Sequence, residues 1–304
     1  MTVKPIKTKI RLEIVGSDVI IEDADIELEI KKTNESKPNY CTCTVYNMSD
    51  DTYNKIKDKA YYVNCYADVN DNGYNLIFAG DLRNLKKPKK ARKRKKSKHP
   101  RKSKSTSGAT TEPKYFEPPI RTEDDGPDIK TIIELQDGLK TTFLNFPYST
   151  SYKDAISSNR ILDDAIRALQ SGNSAIGQYD TPNEIIYPNG FSYVGPVFNL
   201  IAKICARGGC RCSIQNGVLS VIRLGGKNLD YIIELNSSNC PRPEEDTNKE
   251  INIDAPVLPT LNPDNMILAN FDTVNGIKKV YKLETKIDNY GGNNQGTKLV
   301  CKTI

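Results

Sequence analysis

The sequence predicts a mainly β protein with a small α/β insert. Apolar and polar residues alternate with period two near both ends of the chain, the pattern of half-buried strands. The middle instead carries helix-spaced apolar stripes. Turn signals such as Asn216-Gly217 sit between the alternating runs.

The elements follow in order. In "KTKIRLEIV", Ile10, Leu12 and Ile14 alternate with polar residues, as do Ile26, Leu28 and Ile30 in "DADIELEI". In "NYCTCTVYNM", Tyr40, Thr42, Thr44 and Tyr46 share one face, and Cys41, Cys43 and Val45 the other. "SDDTYNKIKDKA" predicts a short helix, with Ser49 as N-cap and Asp50 and Asp51 where the helix dipole favours acids. "YYVNCYADV" and "YNLIFAGDL" are strands around the turn "NDNG". Residues 86–127 are basic and then Pro-rich without periodicity, which predicts a long flexible loop. "DIKTIIELQDG" resumes the strands. Two helices are expected next, in "SYKDAISSNRILDDAIRALQSG" and "FSYVGPVFNLIAKICARGG", the second striped by Val197, Leu200, Ile201 and Ile204. A hairpin around Asn216-Gly217 follows. The strand runs "EINIDAPVL", "NMILANF", "KKVYKLETKID" and "GTKLVCKTI" close the chain.

The 304 residues are enough for about two domains and a real core. Net charge is +6, of which the run "KKPKKARKRKKSKHPRKSK" supplies +13, leaving the remainder at −7. This is an acidic body with one basic appendage. The N-terminus has no apolar core of signal length, and no apolar run is long enough to span a membrane. The eight cysteines are therefore expected as thiols in a reducing cytoplasm.

Catalytic constellations are hard to assemble. The one histidine, His99, lies inside the basic run with no framework to hold it beside a nucleophile or carboxylate. Glu244 and Glu245 form a carboxylate pair, but in a polar linker that predicts a solvated loop. The paired glycines at 225–226 and 291–292 lack a phosphate-loop pattern. Cys205, Cys210 and Cys212 form a thiol cluster spaced C-x4-C-x-C, not as paired zinc knuckles. Cys205 falls on a helix's apolar stripe, so small buried hydrophobes are expected here and no metal.

The candidate contact site is the basic run: Lys86, Lys87, Lys89, Lys90, Arg92, Lys93, Arg94, Lys95, Lys96, Lys98, Arg101, Lys102 and Lys104. It has three readings: a polyanion contact, a tether to an acidic protein surface, or a solvated loop. The run holds no aromatic residue, so any nucleic-acid contact would be blind to base sequence.

Several segments, in order, resemble the baseplate hub proteins of tailed phages, which are related to tail-tube and injection-machine proteins. These are "KPNYCTCTVYNMSDDTYNKI", "YNLIFAGDLRNL", "DIKTIIELQDG", "VFNLIAKICARGGCRCSIQNGVLSVI" and the closing block from Ile251. The basic insertion departs from the pattern, and no lysozyme-like or peptidase sequence is appended. The resemblance implies two tail-tube-type β-barrel domains bracketing a helix-and-hairpin domain. Residues 1–146 would be the first tube-type domain, 147–235 the mixed domain and 236–304 the second tube-type segment. It implies a homotrimer whose pseudo-six-fold ring joins a six-fold tail tube to a three-fold spike and lets DNA pass. Polar strand faces such as Thr42 and Thr44, or Lys282, Glu284 and Lys286, would line the channel. The implied partners are tail tube, spike and other baseplate proteins, with tape-measure protein and transiting DNA as further contacts. The place implied is the virion tail, assembled in the host cytoplasm. No catalysis and no cofactor are expected. Two other classes compete: a sequence-nonspecific nucleic-acid-binding protein using residues 86–104, and a tail-associated cell-wall hydrolase, which the missing catalytic framework disfavours.

Overall fold

The computed structural model describes residues 7–17, 19–22, 24–59, 62–90, 129–137, 146–171, 175–224, 228–241, 243–246, 249–290 and 295–303. The first block contains β1 (Thr8–Val15), β2 (Val19–Ile21), β3 (Ile26–Thr33), β4 (Tyr40–Tyr46), α1 (Asp50–Lys59), β5 (Tyr62–Val69), β6 (Asn75–Lys90) and β7 (Ile129–Gln136). The alternation holds: Ile10, Leu12, Ile14, Ile26, Leu28, Ile30, Cys41, Cys43 and Val45 are all buried in one core. Ser49 caps α1, its Oγ accepting from the Thr52 N–H at 3.1 Å. Asn70, Asp71 and Gly73 turn β5 into β6 with positive φ.

β6 is sixteen residues long and continues to Lys90, where the sequence predicted a loop from Lys86. Its far end pairs with the start of β7, Lys90 opposite Ile129. Backbone pairing thus carries the ladder into the basic run, whose side chains have no strand periodicity.

The middle block contains β8 (Pro147–Tyr152), β9 (Ile156–Ser157), α2 (Ser158–Ser171), β10 (Ala175–Tyr179), β11 (Ile186–Tyr187), β12 (Phe191–Pro196), α3 (Val197–Arg207), β13 (Cys210–Gln215) and β14 (Val218–Arg223). α3 packs on β13 of the hairpin and α2 packs on α3, with Leu162, Leu169, Leu200, Ile204 and Leu219 buried in one core. The expected second helix begins only at Val197. "FSYVGP" is strand β12, antiparallel to β8. The cause is local: Phe191 and Tyr193 are half-buried while Ser192 and Val194 are exposed, which is strand alternation. Pro196 then sits at the cap with extended ψ of 131°. Likewise α2 starts at Ser158, so Ala155 and Ile156 precede it.

The closing block contains β15 (Asn228–Asn236), β16 (Glu244–Glu245), β17 (Glu250–Ala255), β18 (Asn265–Asn270), β19 (Asn275–Asp288) and β20 (Gly296–Thr303). A third core forms here around Ile253, Ile267, Val280 and Leu299.

Two barrels were expected. Among the described residues the structure instead shows one open sheet of thirteen strands and no closed barrel. Its order is β16-β17-β20-β19-β3-β4-β7-β6-β5-β1-β2, with β18 on β19 and β15 on β18. β19 makes the join. One edge pairs with β20, while the other takes β18 over Asn275–Lys279 and then β3 over Lys282–Asp288. A register shift at Val280/Lys282 separates the two stretches on the β20 side. The ladder therefore runs from one β block into the other. β15 lies parallel to β18 in the large sheet.

Candidate functional site

Strand alternation sorts the polar residues of this sheet into an open face and a buried joint. On the open face, Asp254, Lys298, Glu284, Lys31 and Tyr40 stand in register across β17, β20, β19, β3 and β4. Beside them Lys286, Glu29, Thr42, Glu134 and Asn84 form a second row. Opposite charges meet on this face: Lys31 lies 3.5 Å from Glu284 across the ladder and 3.5 Å from Glu29 on its own strand, and Lys286 lies 3.7 Å from Glu29 across the ladder. Thr42, Thr44, Lys282, Glu284 and Lys286, singled out from sequence as wet-face residues, all sit on this one surface. An open groove of about 620 Å³ crosses it, lined by Lys31, Tyr40, Lys282, Glu284, Lys298 and Asp254 among others.

The joint lies on the opposite side, where the three blocks meet. Asp137, fully buried after β7, accepts from the backbone N–H groups of Asn216 and Gly217, each at 2.7 Å. It also accepts from Asn39 Nδ2 at 3.3 Å, and Asn39 donates to the Ile214 carbonyl at 2.7 Å. The Asn216-Gly217 turn has φ of 53° and 76°, which the Asn-Gly pair adopts readily. It is held tightly: a Cβ on Gly217 would stand 2.6 Å from the Tyr62 hydroxyl. Lys32 is buried and donates to Asn216 Oδ1 at 3.1 Å and Asn262 Oδ1 at 2.7 Å. A second charged knot lies alongside. Asp264 takes Arg211 of the hairpin, Lys279 of β19 at 3.2 Å and Asn34 Nδ2 at 3.2 Å.

Burial governs the protons here. It pushes the Lys32 ammonium down to about 8, against the pull of Asp137. Burial likewise raises Asp137, opposed by the Gly217 N–H, Lys32, Asn39 and the Asn216 N–H. Periodicity alone does not single out these residues, yet the sequence carries one signal. Lys32 has the same strand parity as Ile26, Leu28 and Ile30, so a lysine stands at an inward position.

The sequence-predicted site residues that are described lie elsewhere. Lys86 is exposed on β6 and pairs with Glu134, whose carboxyl the Lys86 hydrogen bond holds below its usual range. Lys87, Lys89 and Lys90 lie on the same strand. Arg92, Lys93, Arg94, Lys95, Lys96, Lys98, His99, Arg101, Lys102 and Lys104 lie outside the described residues. Glu244 and Glu245, expected in a linker loop, form the short exposed strand β16. Cys205, Cys210 and Cys212 are all buried in the middle core. The three-thiol group among the described residues is a different one: Cys41, Cys43 and Cys65, all within 4.8 Å of one another at their sulfurs. There the thiols of Cys41 and then Cys43 hydrogen-bond to Cys65 and draw its titration down to about 5. Burial raises Cys41.

The sequence matches no protein-family model, and no curated protein matches it. Solved structures do match, over nearly the full chain. A tail protein from Neisseria meningitidis superposes with a TM-score of 0.55 at 8% identity, covering 98% of this chain and 97% of its own. The 43 kDa tail protein of prophage MuSo2 from Shewanella oneidensis gives 0.56 at 8% identity, covering 97% and 96%. This chain has the fold of phage tail proteins. An E. coli component of the type VI secretion system, described as structurally similar to the T4 tail proteins gp27 and gp5, gives 0.55 at 8% identity, covering 96% and 76%. At such identity the shared property is the fold alone.

Proposed function

We propose that this chain is a structural baseplate hub of a phage tail. Three copies form a pseudo-six-fold ring between the tail tube and the spike, and DNA passes through it. The observation that carries the reading is the end-to-end superposition on tail proteins, with almost all of both chains aligned. The sheet topology supports it. Two β blocks share one ladder through β19, so each copy offers two linked β units to a ring. Sheet edges at β2 and β16 can extend the ladder into neighbours. The mixed-charge face, with balanced signs, suits a wet lining against which a polyanion neither binds tightly nor is repelled. On this reading the protein is a scaffold rather than an enzyme. The basic run then makes a sequence-blind contact with passing DNA or with an acidic neighbour.

Sedimentation of the full chain, alone and with the tube and spike proteins of the same tail, tests the proposal. A trimer, formed alone or on adding the spike, is expected. A chain that stays monomeric in the assembled tail contradicts it. Removing residues 91–104 separates the hub from a nucleic-acid binder. A hub still assembles, whereas a binder loses its DNA affinity and its function together.

A further inference from the structure

We propose that Cys41, Cys43 and Cys65 form a thiolate site for one soft d10 cation, Zn2+ or Cu+. The two sulfurs of β4 project from the same strand face, 3.6 Å apart. Cys65 comes from β5, which is not a ladder neighbour of β4, and its sulfur lies 3.7 Å from that of Cys43. The three therefore converge across the interior of the first core.

These separations are far longer than a disulfide bond of about 2.05 Å. They do match sulfurs arranged around a metal. With all three pairs inside 4.8 Å, the point equidistant from the sulfurs lies about 2.1 Å away for a near-equilateral triangle and about 2.4 Å at the limit, bracketing the usual Zn–S length of about 2.3 Å. Thiolates are the ligands that select soft ions. Three thiolates with Zn2+ leave one negative charge in the core, and the field of the buried Lys32 ammonium reaches Cys41 and Cys65. Cu+ reaches the same net charge with one thiol left protonated. Loading releases the remaining thiol protons to solvent. Among the described residues no imidazole or carboxylate joins the group, so the protein supplies three sulfur ligands. The site is independent of the hub reading.

The test uses the full chain, unfolded with chelator under anaerobic reducing conditions and refolded with one equivalent of Zn2+ or of Cu+. After gel filtration, elemental analysis should find one ion per wild-type chain with at least one of the two metals. Cys301→Ala should retain it. Cys65→Val and Cys43→Val, which keep the core apolar, should weaken retention at least tenfold. X-ray absorption of the loaded wild type should show sulfur scatterers only, which decides the matter if the variants fail to fold. The proposal is overturned if the folded wild type retains neither ion, if Cys65→Val retains it equally, or if the scatterers are nitrogen or oxygen. A native Cys43–Cys65 disulfide, found by mass spectrometry, overturns it too.

Discussion

Lys31 and Lys32 are neighbours in sequence and opposites in environment. Lys31 lies on the open face with 58% of its side chain exposed, between Glu284 and Glu29. Lys32 is 4% exposed and ends among Asn216 and Asn262, with the Asp137 charge nearby. Their protons move in opposite directions. Lys31 is raised by the Glu284 charge and then by Glu29, and Lys32 is lowered by burial. Strand alternation alone makes this division. The open face can exchange charges at little cost, since exposed ion pairs are screened. The joint cannot, because each buried partner it loses leaves another unsatisfied. The difference indicates which side fixes the angle between the blocks and which is free to adapt to partners.

Breaking the joint at its centre gives the largest expected effect. Asp137→Ala strips the Asn216 and Gly217 N–H groups of their acceptor and leaves the Lys32 charge without its counterpart. A loss of about 3–5 kcal/mol is expected by urea unfolding. A loss below about 1 kcal/mol would place the joint in the same class as the open face.

The pH dependence of Lys32 comes next. Its folded value, about 8, lies below the ordinary 10.5. The penalty for burying the charge is therefore fully present below pH 8 and fades as pH rises toward 10.5. Relative to Lys32→Met, the wild type should gain stability across that window, by up to about 3 kcal/mol. A flat difference curve between pH 8 and 10.5 would show that Lys32 is solvated in the folded state.

Gly217→Ala sharpens the comparison further. The residue has φ of +76°, and the new Cβ meets the Tyr62 hydroxyl. A destabilisation of about 2 kcal/mol is expected, of which part should return in a Gly217→Ala, Tyr62→Phe double variant. The smallest effect belongs to the open face. Lys298→Ala, in the row with Glu284 and Asp254, should change unfolding stability by no more than about 0.5 kcal/mol.

Much of the fold was legible because the information was local. Period-two runs marked β1, β3, β4, β5 and β7. The Asn-Gly pair marked the β13–β14 turn, and the stripe Val197, Leu200, Ile201 and Ile204 marked α3. What was missed is non-local. Nothing near Glu29 names Lys286 as its cross-strand partner some 250 residues on, yet the β3–β19 pairing joins the two β blocks into one sheet. β9 and β11 are two residues long, too short for any period to register. The cysteines show the same limit. The adjacent pair Cys41 and Cys43 was visible on one strand face, but the third sulfur arrives from β5 across the core. The basic run dominated the composition and was the readiest candidate, whereas the joint consists of single polar residues whose meaning depends on where they are buried.

The most direct test of the hub account is an electron cryomicroscopy reconstruction of the assembled tail tip. The account predicts three copies of this chain in one ring, each contributing its first and closing β blocks alternately around the channel, with the β3–β19 ladder intact. A tip that lacks the chain, or a ring holding it in six equivalent copies, would contradict it.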